Sequence, residues 1–195
     1  MKDAALELLE DRLFFTTEDL VSVLNIQRSS VHVLCSRCVK RGIFIRLKKN
    51  FFVLRHRWQR LTSAEFYLIS NYLQVPSYLS CTTALSFHGV STQVQRAWYD
   101  NISTRRSIHY SVQGVDFFFY KIGTPLYFGF ERADNYFIAT KEKAFVDACH
   151  MSIYGRYAFD SHACDLKKLN YEIITSIMKI FPERTRIFIR GICKI

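Results

Sequence analysis

The side chains best suited to a specific chemistry lie between residues 27 and 49. They are Gln27, Arg28, Ser29, His32, Ser36, Arg37 and Lys40, followed by Lys48 and Lys49. Guanidinium, amide and hydroxyl groups reach base edges and phosphates at hydrogen-bond range, and lysines neutralise phosphates. This set of side chains is typical of a surface that contacts double-stranded DNA.

A helix-turn-helix would place these side chains on one face. Five apolar positions fix the crossing angle of the two helices in such a motif, and they are occupied by Leu20, Leu24, Ile26, Val31 and Leu34. Asn25 falls at the sharp turn, where the backbone needs a positive φ that asparagine tolerates well. The second helix, from about residue 28 to 41, has an apolar stripe toward the core that consists of Val31, Leu34, Cys35 and Cys38.

A β-hairpin is predicted directly after this helix. Gly42 ends the helix, and residues 43–47 and 51–54 are two short apolar runs that are joined by Lys48, Lys49 and Asn50. The pattern of residues 16–54 therefore predicts a winged helix-turn-helix within an N-terminal domain of residues 1–56. The alternative is a protein-interaction module whose charged outer face is simply solvated.

The charge balance favours a polyanion as the partner. The 195 residues include 27 Lys and Arg against 17 Asp and Glu, which gives a net charge of +10. An anionic membrane is the competing polyanion, but the sequence has no run of 18 apolar residues. The N-terminus mixes acidic with apolar residues, unlike a signal peptide, so we expect a cytoplasmic protein.

The remaining polar residues do not form a recognisable catalytic or metal site. Cys35 and Cys38, with His32 one turn earlier, invite a zinc interpretation, but helical spacing toward the core explains both cysteines. Asp160 and the Asp165 to Lys167 pair superficially resemble a nuclease signature at too short a spacing. We therefore expect no metal, no cofactor and no enzymatic activity.

A second domain, residues 61–195, is predicted after the basic segment 56–60. Helices are expected at 64–73, 80–87, 141–152 and 171–181, and a helix at 2–13 precedes the winged motif. Alternation with a period of two predicts strands of an antiparallel sheet at 98–103, 108–113, 117–122, 127–130 and 136–139. The fold class is therefore α+β, a winged helix-turn-helix followed by a mixed α/β domain with an antiparallel sheet.

Two segments of the second domain resemble motifs of the AbiEi-type antitoxins. They are YLSCTTALSFHG at residues 78–89 and TKEKAFVD at residues 140–147. The resemblance implies an antitoxin that represses its own promoter at inverted repeats and neutralises a nucleotidyltransferase-like toxin of the AbiEii type, with or without direct contact. Candidate residues for neutralisation near the motifs and strands are Tyr78, Ser80, His88, Arg105, Arg106 and Lys143. The alternative function is an ordinary winged-helix regulator whose second domain senses a ligand or dimerises.

Overall fold

The computed structural model describes residues 9–93 and 95–195 and has an α+β fold. These residues form two compact units that divide between Ile69 and Ser70. The division falls within the helix α4 (Ser63–Leu73). The helix expected at residues 2–13 lies mostly outside the described residues.

The first unit consists of short helices and a small sheet. In chain order its elements are β1 (Phe15–Thr16), α1 (Thr17–Leu24), α2 (Arg28–Lys40), β2 (Phe44–Lys48), β3 (Phe51–Leu54) and α3 (Arg55–Trp58). β3 is the central strand of the sheet and pairs antiparallel with both β1 and β2. Helix α3 overlaps the start of the basic segment 56–60.

Local signals in the sequence determine where the helices of this unit begin and end. Thr16 caps α1 in a capping box with Asp19, which satisfies two amides at the helix start. Asn25 has the expected positive φ of 50° in the turn between α1 and α2. Gly42, with φ 72°, ends α2 in a Schellman motif, because the amide of Ile43 donates to the carbonyl of Cys38.

The core of the first unit joins both helices to the sheet. Its buried residues are Leu9, Phe15, Leu20, Val31, Cys35, Phe44, Phe52 and Leu54. Cys35 is therefore a core residue, and burial raises the pKa of its thiol to about 11. Because α2 contributes Val31 and Cys35 to this core, its opposite face is turned to solvent.

The second unit is built on a sheet with the strand order β6-β7-β5-β4-β9-β8 in the described residues. These strands are β4 (Ser77–Leu79), β5 (Trp98–Ser103), β6 (Ile108–Val112), β7 (Val115–Lys121), β8 (Phe130–Ala133) and β9 (Tyr136–Ala139). Its helices, besides the end of α4, are α5 (Cys81–Phe87), α6 (Lys141–Ile153), α7 (Tyr171–Met178) and α8 (Glu183–Cys193).

The expectation of an antiparallel sheet was wrong, because the sheet is mixed. β5 pairs parallel with β7, and β4 pairs parallel with β9. The tight hairpin of β6 and β7 folds back so that β7, and not β6, lies beside β5. The strand expected at residues 127–130 is also absent: Pro125 lies in a 3-10 turn, Thr124–Leu126, and β8 begins only after Gly129, whose φ is 73°.

Helix α6 is the central helix of the second unit. It packs against α5, α7, α8 and β9. Thr140 caps it, because its side chain accepts a hydrogen bond from the amide of Lys143. Residues 142–151 are all buried, including the charged Glu142, Lys143 and Asp147. Charged side chains on a helix that is buried on every side need partners within the protein, because water cannot reach them.

Candidate nucleic-acid interface

Helix α2 presents the polar side chains identified in the sequence on one exposed face. The structure leaves all seven exposed, namely Gln27, Arg28, Ser29, His32, Ser36, Arg37 and Lys40. The helix itself contains no Asp or Glu. The packing of Val31 and Cys35 in the core fixes which way this face points, so the face is rigidly presented.

One of the expected core positions lies at the edge of this face. Leu34 is partly exposed and lines a shallow groove on the outside of α2 together with Val33, Ser29, Ser30 and Arg37. Val33 is 49% exposed. The exposed face therefore combines cations and hydroxyls with apolar side chains, and apolar side chains of this kind can contact thymine methyl groups.

The hairpin of β2 and β3, which follows α2 in the sequence, carries further cations. Lys48 lies at a β-bulge, and Asn50 adopts a φ of 60° at the tip, so the strands reverse within Lys49 and Asn50. The ammonium of Lys48 lies 5.3 Å from the ring centroid of Phe51. Lys49 is exposed at the tip. The hairpin is short, so its cations are held close to the sheet.

Arg28 at the start of α2 already has an ionic partner. Its guanidinium lies 2.5 Å from the carboxylate of Glu18 on α1, and both side chains are more than half exposed. A hydrogen bond from the Thr17 hydroxyl lowers the pKa of Glu18 below its ordinary value, as does the nearby guanidinium. The carboxylate therefore reduces the positive charge at this end of the face.

Three of the candidate residues in the second unit meet in one buried cluster. The hydroxyls of Tyr78 and Ser80 lie 3.0 and 2.8 Å from the carboxylate of Asp147. The ammonium of Lys143 lies 2.8 Å from the Tyr78 hydroxyl and also pairs with Asp147. Burial raises the pKa of Tyr78 well above its ordinary value, with the carboxylate of Asp147 as the next cause. These contacts join residues 78–89 to residues 140–147, the two segments that resemble antitoxin motifs, inside the second unit.

The other three candidates lie apart from that cluster. The ring of His88 lies 2.8 Å from the carbonyl oxygen of Ala139, so it bonds to the backbone of β9. Arg105 and Arg106 are exposed in the loop between β5 and β6. The side-chain amide of Gln74 donates to the carbonyl of Arg106 and holds this loop in place.

Sequence reasoning missed the acidic partners in both units. Glu18, which pairs with Arg28, was not identified as a partner from the sequence. Asp147 was quoted within a motif but was not named as a candidate, although its spacing of four from Lys143 is a helical ion-pair signal. Arg46, an exposed residue of β2 that lies 5.6 Å from the Phe52 ring centroid, was also missed.

A scan against protein-family models finds no match for the chain, and a search of curated proteins also finds none. Within residues 9–93 and 95–195, no helix combines the length and the apolar character that crossing a membrane requires. In the same residues, no cluster of three or more His, Cys, Asp or Glu side chains has the arrangement of a metal site.

Proposed function

We propose that the first unit is a winged helix-turn-helix that binds double-stranded DNA through α2 and the β2–β3 hairpin. The observation that carries this proposal is the exposed face of α2, which holds Arg28, Arg37 and Lys40 without any acidic residue of its own. Cations and hydroxyls on one helix suit phosphates and base edges together. Inverted repeats in the protein's own promoter are the proposed operator.

A gel shift on the promoter fragment tests this function. We expect Arg37→Ala to weaken operator binding. The slope of log K against the logarithm of the salt concentration should become less steep by about 0.9 for each phosphate contact that is lost. Arg60→Ala removes the same charge at an exposed position outside α2 and the hairpin, so it is the matched control. Equal affinity of Arg37→Ala, Arg28→Ala and the parent protein would refute the assignment of α2.

We further propose that the protein is the antitoxin of a toxin-antitoxin operon and represses that operon. The support is the resemblance of residues 78–89 and 140–147 to AbiEi-type motifs, together with the contacts that join these segments through Tyr78, Ser80, Lys143 and Asp147. Co-expression with the nucleotidyltransferase-like product of an adjacent gene is the test. Rescue of growth supports the proposal, and lack of rescue from a folded protein contradicts it.

A ligand-sensing regulator is the second candidate, because the second unit contains an apolar cavity. The cavity has a volume of about 410 Å³, and the residues that line it include Tyr72, Tyr127, Phe130 and Phe137. The side-chain nitrogen of Asn71, which also lines the cavity, is buried and has no hydrogen-bond partner in the structure. A sensor would change its operator affinity when this cavity is filled and would not rescue growth from the toxin.

A further inference from the structure

One face of the sheet in the second unit carries a row of aromatic rings that the proposed functions do not use. Trp98 on β5, Phe118 on β7 and His109 on β6 lie side by side on neighbouring strands. The ring centroids of Trp98 and Phe118 are 4.1 Å apart, and those of His109 and Phe118 are also 4.1 Å apart with the planes almost parallel. Together with Tyr120, two residues after Phe118, we call these residues the aromatic face.

The aromatic face is accessible to solvent. Trp98 is 37% exposed, His109 is exposed, and Phe118 and Tyr120 are partly exposed. An open groove of about 580 Å³ runs beside His109, Phe118 and Tyr120. Contiguous apolar surface that remains exposed in a folded unit marks an interaction site.

A buried carboxylate on the same side of the sheet holds two rings in position. Asp100 is completely buried, and the indole nitrogen of Trp98 donates to it at 2.7 Å. The hydroxyl of Tyr157 lies 2.9 Å from the same carboxylate, and the ring of Tyr157 packs edge-on against Tyr120. The rings are therefore arranged before any partner binds, which reduces the entropy lost on binding.

Four cations surround one end of the aromatic face, and we call them the cationic rim. Lys121 and Arg156 line the open groove. Arg105 and Arg106 lie in the β5–β6 loop, whose Ser107 accepts a hydrogen bond from the amide of Lys121, so the loop lies beside the end of β7. In the part of the chain that the structure describes, none of the four has a carboxylate within ion-pair distance.

The acidic residues of this face are already engaged. Asp116 lies 2.7 Å from the ring of His109, and Asp100 is covered by Trp98 and Tyr157. The groove therefore offers aromatic rings and unpaired cations together. A groove with aromatic rings and unpaired cations suits a flexible polyanion with planar bases, because the bases can stack on the rings while the cations neutralise the phosphates.

We propose that the aromatic face and the cationic rim bind single-stranded nucleic acid. Bases stack on the exposed rings, and the phosphates lie along Lys121, Arg156 and the arginine loop. Stacking uses the π-face that every base has, so the site discriminates weakly between sequences. This site is separate from α2, which is proposed to bind duplex DNA.

Fluorescence of Trp98 in the full-length protein tests the site directly. The chain has two tryptophans, so Trp58→Phe leaves Trp98 as the only reporter. The probes are oligothymidylate and oligouridylate of about 12 nucleotides, which separate DNA from RNA as the preferred strand. We expect saturable quenching by at least one probe, with an affinity that falls as the salt concentration rises. If neither probe quenches Trp98, the proposal is wrong.

Variants separate this site from the duplex-binding site. We expect His109→Ala and Lys121→Glu each to weaken binding of the single strand by about fivefold or more, since one stacked base or phosphate contact is lost. His162→Ala and Lys179→Glu make the same changes at exposed positions outside the aromatic face and the cationic rim and should have no effect. Circular dichroism verifies that each variant is folded.

We expect each of two substitutions to weaken one binding activity and to leave the other unchanged. Arg37→Ala should lose duplex binding and keep single-strand binding, while Lys121→Glu should do the reverse. If Arg37→Ala abolishes the binding of both ligands, the single strand binds to α2 and the proposal is wrong. If His109→Ala and Lys121→Glu impair only the response to the toxin, the aromatic face is a protein interface, which also overturns it.

Discussion

Lys143 and Asp147 form an ion pair one helical turn apart on α6, and neither side chain is exposed to solvent. The ammonium also lies 5.2 to 5.4 Å from the ring centroids of Tyr78, Phe128 and Phe181. The hydroxyls of Tyr78 and Ser80 donate hydrogen bonds to the carboxylate of Asp147. Helix α6, which packs against α5, α7 and α8, therefore contains a buried ion pair in which each charge has an opposite charge and hydrogen-bonding groups beside it.

Removing one member of this pair should destabilise the second unit strongly. Lys143→Met leaves the carboxylate of Asp147 buried without its cation, and we expect the free energy of unfolding to fall by about 3–5 kcal/mol. Urea denaturation measures the change. Arg186→Met breaks the more exposed pair with Glu183 on α8 and should cost less than about 1 kcal/mol. A loss of similar size in both variants would contradict the role assigned to Lys143.

Gly129 should be less tolerant of a side chain than Gly114. Both glycines have a positive φ, so alanine at either position should cost about 1–2 kcal/mol of backbone strain. A Cβ atom at Gly129 would lie 2.9 Å from Cγ of Lys143, which the aromatic rings hold in place, whereas a Cβ at Gly114 meets nothing within 4 Å. We expect Gly129→Ala to cost about 1–3 kcal/mol more in urea denaturation. Equal losses would mean that Lys143 can move aside.

Asp100 should make the second unit less stable as the pH rises. Burial raises the pKa of this carboxyl from 3.8 to about 6, although hydrogen bonds from Trp98 and Tyr157 oppose the rise. Between these values the folded protein keeps a proton that the unfolded chain has released. The contribution of Asp100 is therefore fully present below pH 3.8 and is lost as the pH passes about 6, by about 3 kcal/mol in total.

Asp100→Asn tests this pH dependence. The free energy of unfolding of the variant, minus that of the parent, should increase across the same pH window. Asp116→Asn is the control with the opposite sign, because the hydrogen bond from His109 lowers the pKa of Asp116 and its contribution is lost as the pH falls. A pH-independent difference for Asp100→Asn would show that Asp100 titrates normally in the folded protein.

The sequence predicts the parts of the fold that depend on neighbouring residues. The turn at Asn25 and the helix end at Gly42 follow from the local backbone preferences of these residues, and the structure confirms both. The parallel pairing of β5 with β7 depends on which strand of a hairpin returns to the sheet, so alternation along a single strand does not reveal it.

The candidate sites also contain some residues that the sequence reveals and others that only the folded structure brings together. The polar face of α2 follows from helical periodicity around Val31 and Cys35. The convergence of Trp98 and Tyr157 on Asp100 joins residues up to 57 positions apart, so it appears only in the folded unit. On β7, Phe117 and Phe119 are buried while Phe118 and Tyr120 are partly exposed, because side chains alternate between the two faces of a strand.

The pair of Glu18 and Arg28 predicts a variant that binds DNA more tightly than the parent. Glu18→Gln keeps the size of the side chain but removes the negative charge that lies 2.5 Å from Arg28, so the guanidinium can bind a phosphate. Because the carboxylate also repels phosphates near Arg28, we expect its removal to raise operator affinity by about fivefold at low salt. The gain should shrink as the salt concentration rises. Glu10→Gln makes the same charge change beside His56 and should have a smaller effect. If Glu18→Gln and Glu10→Gln raise the affinity equally, the gain reflects net charge alone, and Arg28 is not a DNA contact.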